Sequence, residues 1–204
     1  MHISEGVLSG PVLAVGWGLA AAGAGFGLRR LSGENLAKAG ILSAAFYVAS
    51  LIHVPVGPSS VHLLLTGLLG LLLGWAAVPA ILVGLLLQAI MFQFGGLVVL
   101  GANTVIMAAP AVACRILFGP LVRRGKGAGA VGAFACGACS VLGAAILAGL
   151  ALAFTGEAFT EAAWTLVAAH VPVMVVEGFI TLFAVNFLAR VKPEMLQGLA
   201  PLPD

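Results

Sequence analysis

Residues 63–90 have the sequence LLLTGLLGLLLGWAAVPAILVGLLLQAI, in which no side chain is charged. A helix needs about 20 mostly apolar residues to cross a hydrocarbon core about 30 Å thick. Similar runs continue on both sides, because 62% of the 204 residues are hydrophobic and only 8% are charged. Soluble domains carry about 25% charged residues. The composition therefore predicts an integral membrane protein.

The apolar runs favour an all-α bundle, since closed β-barrels show weaker, alternating patterns. Polar and turn residues divide the chain into about seven transmembrane helices. The predicted spans are residues 9–28, 37–53, 60–75, 78–96, 103–120, 128–154 and 161–189. The division between Trp75 and Pro79 is the weakest, so one span fewer is the main alternative. We expect a single domain covering 1–204, with an N-terminal segment at 1–8, a helical bundle at 9–192 and a short cytoplasmic tail at 193–204.

The Lys and Arg residues predict the orientation of this bundle, because cytoplasmic loops attract them. All nine fall on one side of the predicted bundle: Arg29, Arg30, Lys38, Arg115, Arg123, Arg124, Lys126, Arg190 and Lys192. The N-terminus is then outside and the C-terminus cytoplasmic. His2, His53 and His62 lie at the outer face, and His170 lies in the outer half of the last span. Cations scattered in short clusters do not indicate a nucleic-acid partner.

The N-terminal pair Met1-His2 can chelate a metal through nitrogen atoms. Methionine is normally trimmed only before small residues, so His2 is expected to preserve Met1 and its amine. This amine, the amide nitrogen of His2 and Nδ1 of its ring can close fused chelate rings, and one more nitrogen completes a square. Such a site suits Ni(II) or Cu(II), accepts Co(II), and disfavours Mg and Ca. The alternative is that His2 is merely an exposed terminal residue.

His62 is the best candidate for the fourth nitrogen, and His53 is its competitor. Both lie near the Pro-rich stretch between the second and third predicted spans. Ser59 and Ser60 are expected either to orient the ring of His62 or to cap the third helix. The alternative is that His62 is merely an interfacial loop residue and that His53 only satisfies carbonyl groups or faces lipid headgroups.

Three further polar residues are secondary candidates. Asn103 follows a glycine-rich stretch and is expected either to cap the fifth helix or to reach a binding cavity. His170 and Glu177 are seven residues apart, so they share one face of the last helix. Polar side chains at membrane depth are costly and indicate function by default. The pair predicts either a proton relay or a buried hydrogen-bonded strut.

The chain resembles the CbiM/NikM family, the substrate-binding membrane subunits of energy-coupling factor transporters for cobalt and nickel. Four blocks carry the resemblance: Met1 to Gly6, Pro55 to His62, Gly95 to Asn103, and His170 to Gly178. It implies seven helices in a prokaryotic inner membrane, with the N-terminal segment folded into the pocket and the metal bound by Met1, His2 and His62. The family tends to place an Asn where this chain has Ile106, so one hydrogen bond near the pocket is expected to be missing.

The resemblance also implies transport rather than catalysis, with Co(II) or Ni(II) as cargo and no permanently bound cofactor. The expected partners are a transmembrane coupling protein, cytoplasmic ATPase subunits, a small additional membrane subunit and the lipid bilayer. Two other classes of function stay open. An intramembrane metallo-enzyme would use His and Glu within helices, but the expected His-Glu-x-x-His spacing is missing. A structural or assembly subunit would bind no metal.

Overall fold

The computed structural model describes residues 2–56, 59–197 and 199 and is nearly all helical. Its elements are α1 (Gly10–Leu28), α2 (Glu34–Ala49), β1 (His53–Val56), β2 (Ser59–His62), α3 (Thr66–Leu73), α4 (Ala77–Phe92), α5 (Leu100–Arg123), α6 (Lys126–Ala153), α7 (Thr160–Val191) and α8 (Glu194–Gln197). Short 3₁₀ turns at Gly74–Ala76 and Glu157–Phe159 precede α4 and α7. The predicted helical class is confirmed, and a two-stranded hairpin is added to it.

The described helices suit a membrane environment. Five stretches are long and apolar enough to cross a bilayer: Gly10–Leu28, Thr66–Phe92, Leu100–Arg123, Lys126–Ala153 and Glu157–Val191. The second α-helix is apolar but shorter. Many large apolar side chains, including Ile41, Leu117 and Phe183, are exposed on the outside of the bundle. Lipid tails are as apolar as these side chains, so such exposure costs little in a membrane. The number of spans and the sides of the termini stay predictions.

The chain reverses direction between α3 and α4. His62 precedes α3 and Gln88 lies in α4, yet both contact the ring of His2. His62 Nε2 lies 3.0 Å from His2 Nδ1, and Gln88 Oε1 lies 2.5 Å from His2 Nε2. A straight helix from Thr66 to Gln88 would separate its ends by about 33 Å. The stretch is therefore not one straight span, and the reversal falls at Gly74–Ala76, close to the predicted break.

The predicted third span, 60–75, is wrong at its start. Residues 59–62 form β2, which pairs antiparallel with β1 and places His53 opposite His62 in register. The helix begins only at Thr66 and has eight residues. The second predicted span, 37–53, likewise ends early, at Ala49. Pro55 has no amide hydrogen and disfavours a continuing helix, whereas a hairpin still pairs the backbone groups of this segment.

Helix α3 lies in the centre of the bundle, in contact with α5, α6 and α7. All residues from Thr66 to Leu72 are buried. A Cβ atom at Gly67 would lie 2.6 Å from Cα of Gly137, so α3 and α6 approach with their backbones in contact. The hydroxyl of Thr66 lies 2.9 Å from that of Ser140 in α6. These contacts fix the start of α3, and with it the segment that carries His62.

The two ends of the bundle carry different polar side chains. The histidine end comprises His2, His62, Gln88 and Asn103, all of which are buried. The basic end comprises Arg30, Lys38 and Arg115, which line a cavity of about 230 Å³ beside the turn at Gly74–Ala76. The guanidinium group of Arg115 donates a hydrogen bond to the carbonyl of Leu71 at 2.5 Å. These described histidines and cations therefore lie at opposite ends of the bundle.

Candidate metal site

The N-terminal segment folds back over the histidine end. His2 and Ile3 are only 3% and 1% exposed. The backbone amide of Ile3 donates to Oδ1 of Asn103, and Nδ2 of Asn103 donates to the carbonyl of Ile3, both at 3.1 Å. Asn103 lies in the first turn of α5. Its side chain thus holds the N-terminal segment and does not cap the helix.

The loop between α4 and α5 provides a second attachment for this segment. The amide of Glu5 donates to the carbonyl of Gly95 at 3.1 Å, and the Glu5 carboxylate accepts a hydrogen bond from the amide of Val98 at 2.9 Å. Gly95 has φ +75°, and a Cβ there would lie 2.9 Å from Asn103 Nδ2 and 3.5 Å from His2 Cδ2. Glycine is therefore needed for both the backbone conformation and the close approach.

The rings of His2 and His62 stack inside the bundle, with centroids 4.6 Å apart and an interplanar angle of 26°. His62 Nδ1 lies 2.7 Å from the carbonyl oxygen of Leu63. A carbonyl only accepts hydrogen bonds, so Nδ1 carries the proton and Nε2 carries the lone pair. Burial, the main cause, lowers the pKa of His62 well below its ordinary value. The ring is therefore neutral, and the nitrogen that carries its lone pair is the one that lies near His2.

Gln88 gives His2 the complementary arrangement. Its Oε1 accepts a hydrogen bond from His2 Nε2 at 2.5 Å, which leaves the lone pair on Nδ1. His2 Nδ1 and His62 Nε2 are 3.0 Å apart. Two nitrogens bound side by side to one metal at about 2.0 Å each are about 2.8 Å apart. The spacing of this histidine pair therefore fits two corners of a square around a transition metal.

Side chains alone do not complete such a site. Among the described residues, no group of three or more His, Cys, Asp or Glu side chains could hold a metal ion. Additional ligands to the histidine pair would have to come from elsewhere, such as backbone nitrogens of the N-terminus. The amide nitrogen of His2 is close to the histidine pair, because it belongs to the same residue as one of the two rings. Met1 lies outside the described residues.

Gln88 was not among the residues predicted from the sequence. It lies within the long apolar run quoted above and is completely buried. An uncharged polar side chain at this depth has a cost in hydrocarbon and therefore indicates function, as His170 and Glu177 do. The signal was present in the sequence, but nothing local shows that Gln88 faces His2.

Glu177 supports the segment that follows His62. Its carboxylate is fully buried and accepts hydrogen bonds from the amides of Leu64 and Leu65, the latter at 2.9 Å. These amides lie just before α3, where the start of a helix leaves its donors without helical partners and favours a negative charge. Glu177 thus joins α7 to the start of α3 as a hydrogen-bonded strut.

His170 has different partners from Glu177. Its Nδ1 donates to the carbonyl of Leu166, one turn earlier in α7, at 2.7 Å, while Nε2 has no hydrogen-bond partner. The ring is fully buried. The hydrogen bonds that each side chain makes therefore do not link the two into a proton relay.

The other predicted residues are placed only in part. His53, Ser59 and Ser60 lie in the hairpin, but their side chains are outside the described part of the structure. Ile106 is buried in the apolar core, 4% exposed. It contributes apolar contacts where the family resemblance predicted a hydrogen-bonding Asn.

A multi-helix membrane fold with two buried, converging imidazoles is typical of membrane proteins that handle a transition metal. The family is shown by comparison of the sequence: residues 2–195 match CbiM, described as the cobalt uptake substrate-specific transmembrane region. The chain belongs to this family.

Individual relatives agree with this assignment. A protein of Haemophilus influenzae named as a metal transport protein is 42% identical over 206 residues, covering 96% of this chain and 97% of the relative. The fused nickel transport protein NikMN of Rhodobacter capsulatus is 37% identical over 114 residues, covering 53% of this chain and 33% of the relative. Such relatives are transport proteins, so the chain is a transport component and not an enzyme.

Solved structures share the fold. A crystal structure of a transition metal transporter superposes with a TM-score of 0.75 and 26% identity, covering 94% of this chain and 93% of that one. A truncated transition metal transporter gives a TM-score of 0.73 at 26% identity, covering 92% and 98%. The predicted resemblance to cobalt and nickel transport proteins is thereby confirmed.

Proposed function

We propose that this chain is the substrate-specific component of an ATP-driven importer and captures Ni(II) or Co(II) at its N-terminus. The observation that carries the proposal is the 3.0 Å separation of His2 Nδ1 and His62 Nε2 inside the bundle. Each ring has its other nitrogen beside an oxygen acceptor, Gln88 Oε1 or Leu63 O. Metal-binding histidines are usually held in this way, because the second hydrogen bond fixes the tautomer and the ring orientation.

The proposed ligands are the amine of Met1, the amide nitrogen of His2, His2 Nδ1 and His62 Nε2. Binding through the amide nitrogen releases its proton, so the N-terminal chelate forms only around a metal that can replace that proton. An all-nitrogen set favours Ni(II) and Co(II) over Mg(II) and Ca(II), which prefer oxygen. The segments that carry His2 and His62 would be held in position relative to each other by Asn103, Gly95 and Glu177.

The energy for import is proposed to come from partner proteins. The sequence contains no G-x-x-x-x-G-K-[ST] nucleotide-binding motif. A fused cobalt transport protein, CbiMQ of Methanocorpusculum labreanum, is 35% identical over 133 residues but matches over only 22% of its own length. The fused relatives support cooperation with other transporter subunits. We propose a transmembrane coupling protein, cytoplasmic ATPases and a small membrane subunit, acting in a prokaryotic inner membrane.

The test is metal binding by purified protein that begins with a native Met1, compared with a version carrying one extra N-terminal residue. Calorimetry and metal analysis should show tight, stoichiometric Ni(II) or Co(II) binding to the native form alone, because the extension converts the amine into an amide. Equal binding by both forms would place the site elsewhere. No binding by either form would favour a structural subunit.

A further inference from the structure

Three cations from separate parts of the chain line one basic cavity. Arg30 follows α1, Lys38 lies in α2 and Arg115 lies in α5, and the space between them has a volume of about 230 Å³. Arg30 is exposed, and Lys38 and Arg115 are partly buried. Among the described side chains that line this cavity, none is acidic. The cavity therefore concentrates positive charge and suits an anion.

The orientation of the bundle does not require this convergence. Cations in cytoplasmic loops are sufficient to orient a membrane protein, yet Arg115 lies within α5, between the apolar residues Cys114 and Ile116. A charged side chain at such a position is costly and indicates a function. The carbonyl of Leu71 accepts a hydrogen bond from its guanidinium group at 2.5 Å, which fixes this group at the wall of the cavity.

An apolar groove of about 330 Å³ adjoins the basic cavity and is lined by α1, α5 and the start of α4. Its residues on α5 extend from Val105 to Ile116, about 16 Å along the helix. This length is close to half of a hydrocarbon core about 30 Å thick, which is the depth of one lipid leaflet. Trp75, Val112 and Ile116 line both the groove and the cavity, so the two spaces are contiguous.

Aromatic side chains lie where the two spaces meet. Trp75 lines both, and Phe26 packs edge-on against it, with ring centroids 4.9 Å apart. The guanidinium carbon of Arg30 lies 5.1 Å from the centroid of Phe26, and this cation–π contact holds the charge beside the junction. Tryptophan is enriched at the depth of lipid headgroups. The junction thus suits the boundary between a headgroup and its acyl chains.

We propose that the basic cavity and the apolar groove together bind one anionic phospholipid, with its phosphate in the cavity and an acyl chain in the groove. Basic pockets between transmembrane helices on the cytoplasmic side bind anionic headgroups. The Lys and Arg residues predict that this end faces the cytoplasmic leaflet, whose surface potential is negative. The positive lining selects a lipid with net negative charge, and the groove selects a lipid over free phosphate. The bound lipid joins α1, α2 and α5 at the end of the bundle remote from the histidines.

The first test is native mass spectrometry of the full chain in neutral detergent, titrated with phosphatidylglycerol or with phosphatidylcholine of the same acyl chains. We expect one tightly retained phosphatidylglycerol. The double variant Arg30→Gln/Lys38→Gln should lower its affinity about 30-fold, since each cation near a headgroup is worth about fivefold. Binding of phosphatidylcholine should not change. The control Arg124→Gln/Lys126→Gln removes the same charges from exposed positions outside the cavity and should retain phosphatidylglycerol as the original protein does.

The second test examines the groove. Ala109 is exposed and lines the groove, so Ala109→Leu fills part of the space for the acyl chain. The affinity for phosphatidylglycerol should fall at least about 3-fold, because packing contacts with the chain are lost. Ala21→Leu is the control, since Ala21 is exposed on α1 but does not line the groove. Inorganic phosphate, titrated at constant ionic strength, should not displace the lipid.

The outcomes decide between a lipid site and its alternatives. Weaker binding of phosphatidylglycerol in Arg30→Gln/Lys38→Gln and in Ala109→Leu, but in neither control, would support the proposal. Equal losses in the two double variants would overturn it, because net charge alone would then hold the lipid. Displacement by inorganic phosphate would overturn it in favour of a site for the free anion. Equal affinity of the original protein for the two lipids would overturn it in favour of a partner helix in the groove. None of these measurements involves nickel, so their failure would leave the proposed function untouched.

Discussion

The histidine end and the basic end of the bundle differ in how deeply their polar side chains are buried and in what these side chains contact. At the histidine end, His2, His62, Gln88 and Asn103 are buried. The ring of His2 contacts Gln88 at 2.5 Å and His62 at 3.0 Å, and Asn103 is hydrogen-bonded to the backbone of Ile3 at 3.1 Å. At the basic end, Arg30 and Lys38 line a cavity, and Arg30 is exposed. Exposed cations gain little from any one contact, because water and salt screen them. Buried neutral donors and acceptors depend on each specific partner.

The two ends therefore differ in how accurately their residues must be positioned. Exposed cations need only lie on the correct side of the bundle, so one such as Arg30 can be changed without moving the helices, whereas Arg115 is hydrogen-bonded to Leu71. The histidine end requires the N-terminal segment, the hairpin and four helices to meet within a few tenths of an ångström. We therefore expect matched substitutions to impair metal binding at the histidine end and to leave it unchanged elsewhere.

The largest effect is expected for His62→Ala, which removes one of the four proposed metal nitrogens. Nickel affinity should fall at least about 100-fold. This loss is larger than the loss expected when a ligand stays in place and only its hydrogen bond to the surrounding protein is removed. His53→Ala should do much less, although its backbone pairs with that of His62. Lys38→Gln at the basic end should bind like the original protein. Isothermal titration calorimetry measures all three.

Equal losses at the two histidines would show that His53 is a ligand as well, or that it replaces His62. A comparable loss in Lys38→Gln would contradict the distinction between the ends. Either result would require the ligand set to be assigned again.

The helices of the fold were largely predictable from the sequence because hydrocarbon imposes a simple length rule. Predicted spans at 128–154 and 161–189 match α6 and α7 within about two residues. The segment before Thr66 was not predictable in this way. The predicted third span began at residue 60, but Ser59–His62 pairs with β1, and this pairing decides its conformation. Such pairing is a tertiary contact, and a local pattern does not contain it.

The candidate site, like the fold, was predictable from the sequence only in part. His2 and His62 were identifiable because the chain has only four histidines and because the sequence predicted a chelate at Met1-His2 that needs one more nitrogen. The contacts of Asn103 with Ile3 and of Gln88 with His2 join residues 100 and 86 positions apart. Chain folding alone brings such residues together, so only their polarity in an apolar context could mark them as candidates.

The next largest effect is expected for Glu177→Ala, which removes the acceptor from the buried amides of Leu64 and Leu65. Each unsatisfied amide costs about 1–3 kcal/mol, so the unfolding midpoint should fall. Nickel affinity should fall about 10- to 100-fold, because the same contacts hold the segment after His62. Glu177→Gln keeps one acceptor oxygen and should recover most of both losses.

Thermal unfolding in detergent with and without nickel measures this effect. Glu161→Ala is the control on the same helix, because Glu161 is exposed in the first turn of α7. A loss of stability in Glu177→Ala with unchanged nickel affinity would show that the strut supports the fold and not the site.

A smaller effect is expected for Asn103→Ala, which removes both hydrogen bonds to the backbone of Ile3. Each is worth about 0.5–1.5 kcal/mol, which corresponds to a total loss of affinity of roughly 10-fold. Hydrogen exchange should accelerate at Ile3 while α5 stays protected. The neighbouring variant Thr104→Val loses only a bond within α5, to the carbonyl of Leu100, and should bind nickel normally. Normal nickel binding by Asn103→Ala would show that the N-terminal segment needs no such attachment.

The smallest effect is the most selective test, because the same change can be made at a glycine near the metal site and at one far from it in sequence. Gly95 and Gly125 both have positive φ, +75° and +63°, so alanine strains the backbone at each by about 1–2 kcal/mol. A Cβ at Gly95 would lie 2.9 Å from Asn103 Nδ2, whereas a Cβ at Gly125 meets nothing within 4 Å. Both variants should therefore lose similar stability, but only Gly95→Ala should weaken nickel binding, by roughly 3- to 5-fold as Asn103 shifts. Melting curves measure the backbone strain that both variants share, and nickel titrations measure the displacement of Asn103 from Ile3, which only Gly95→Ala should cause. Equal weakening of nickel binding in both variants would show that backbone strain alone accounts for the loss.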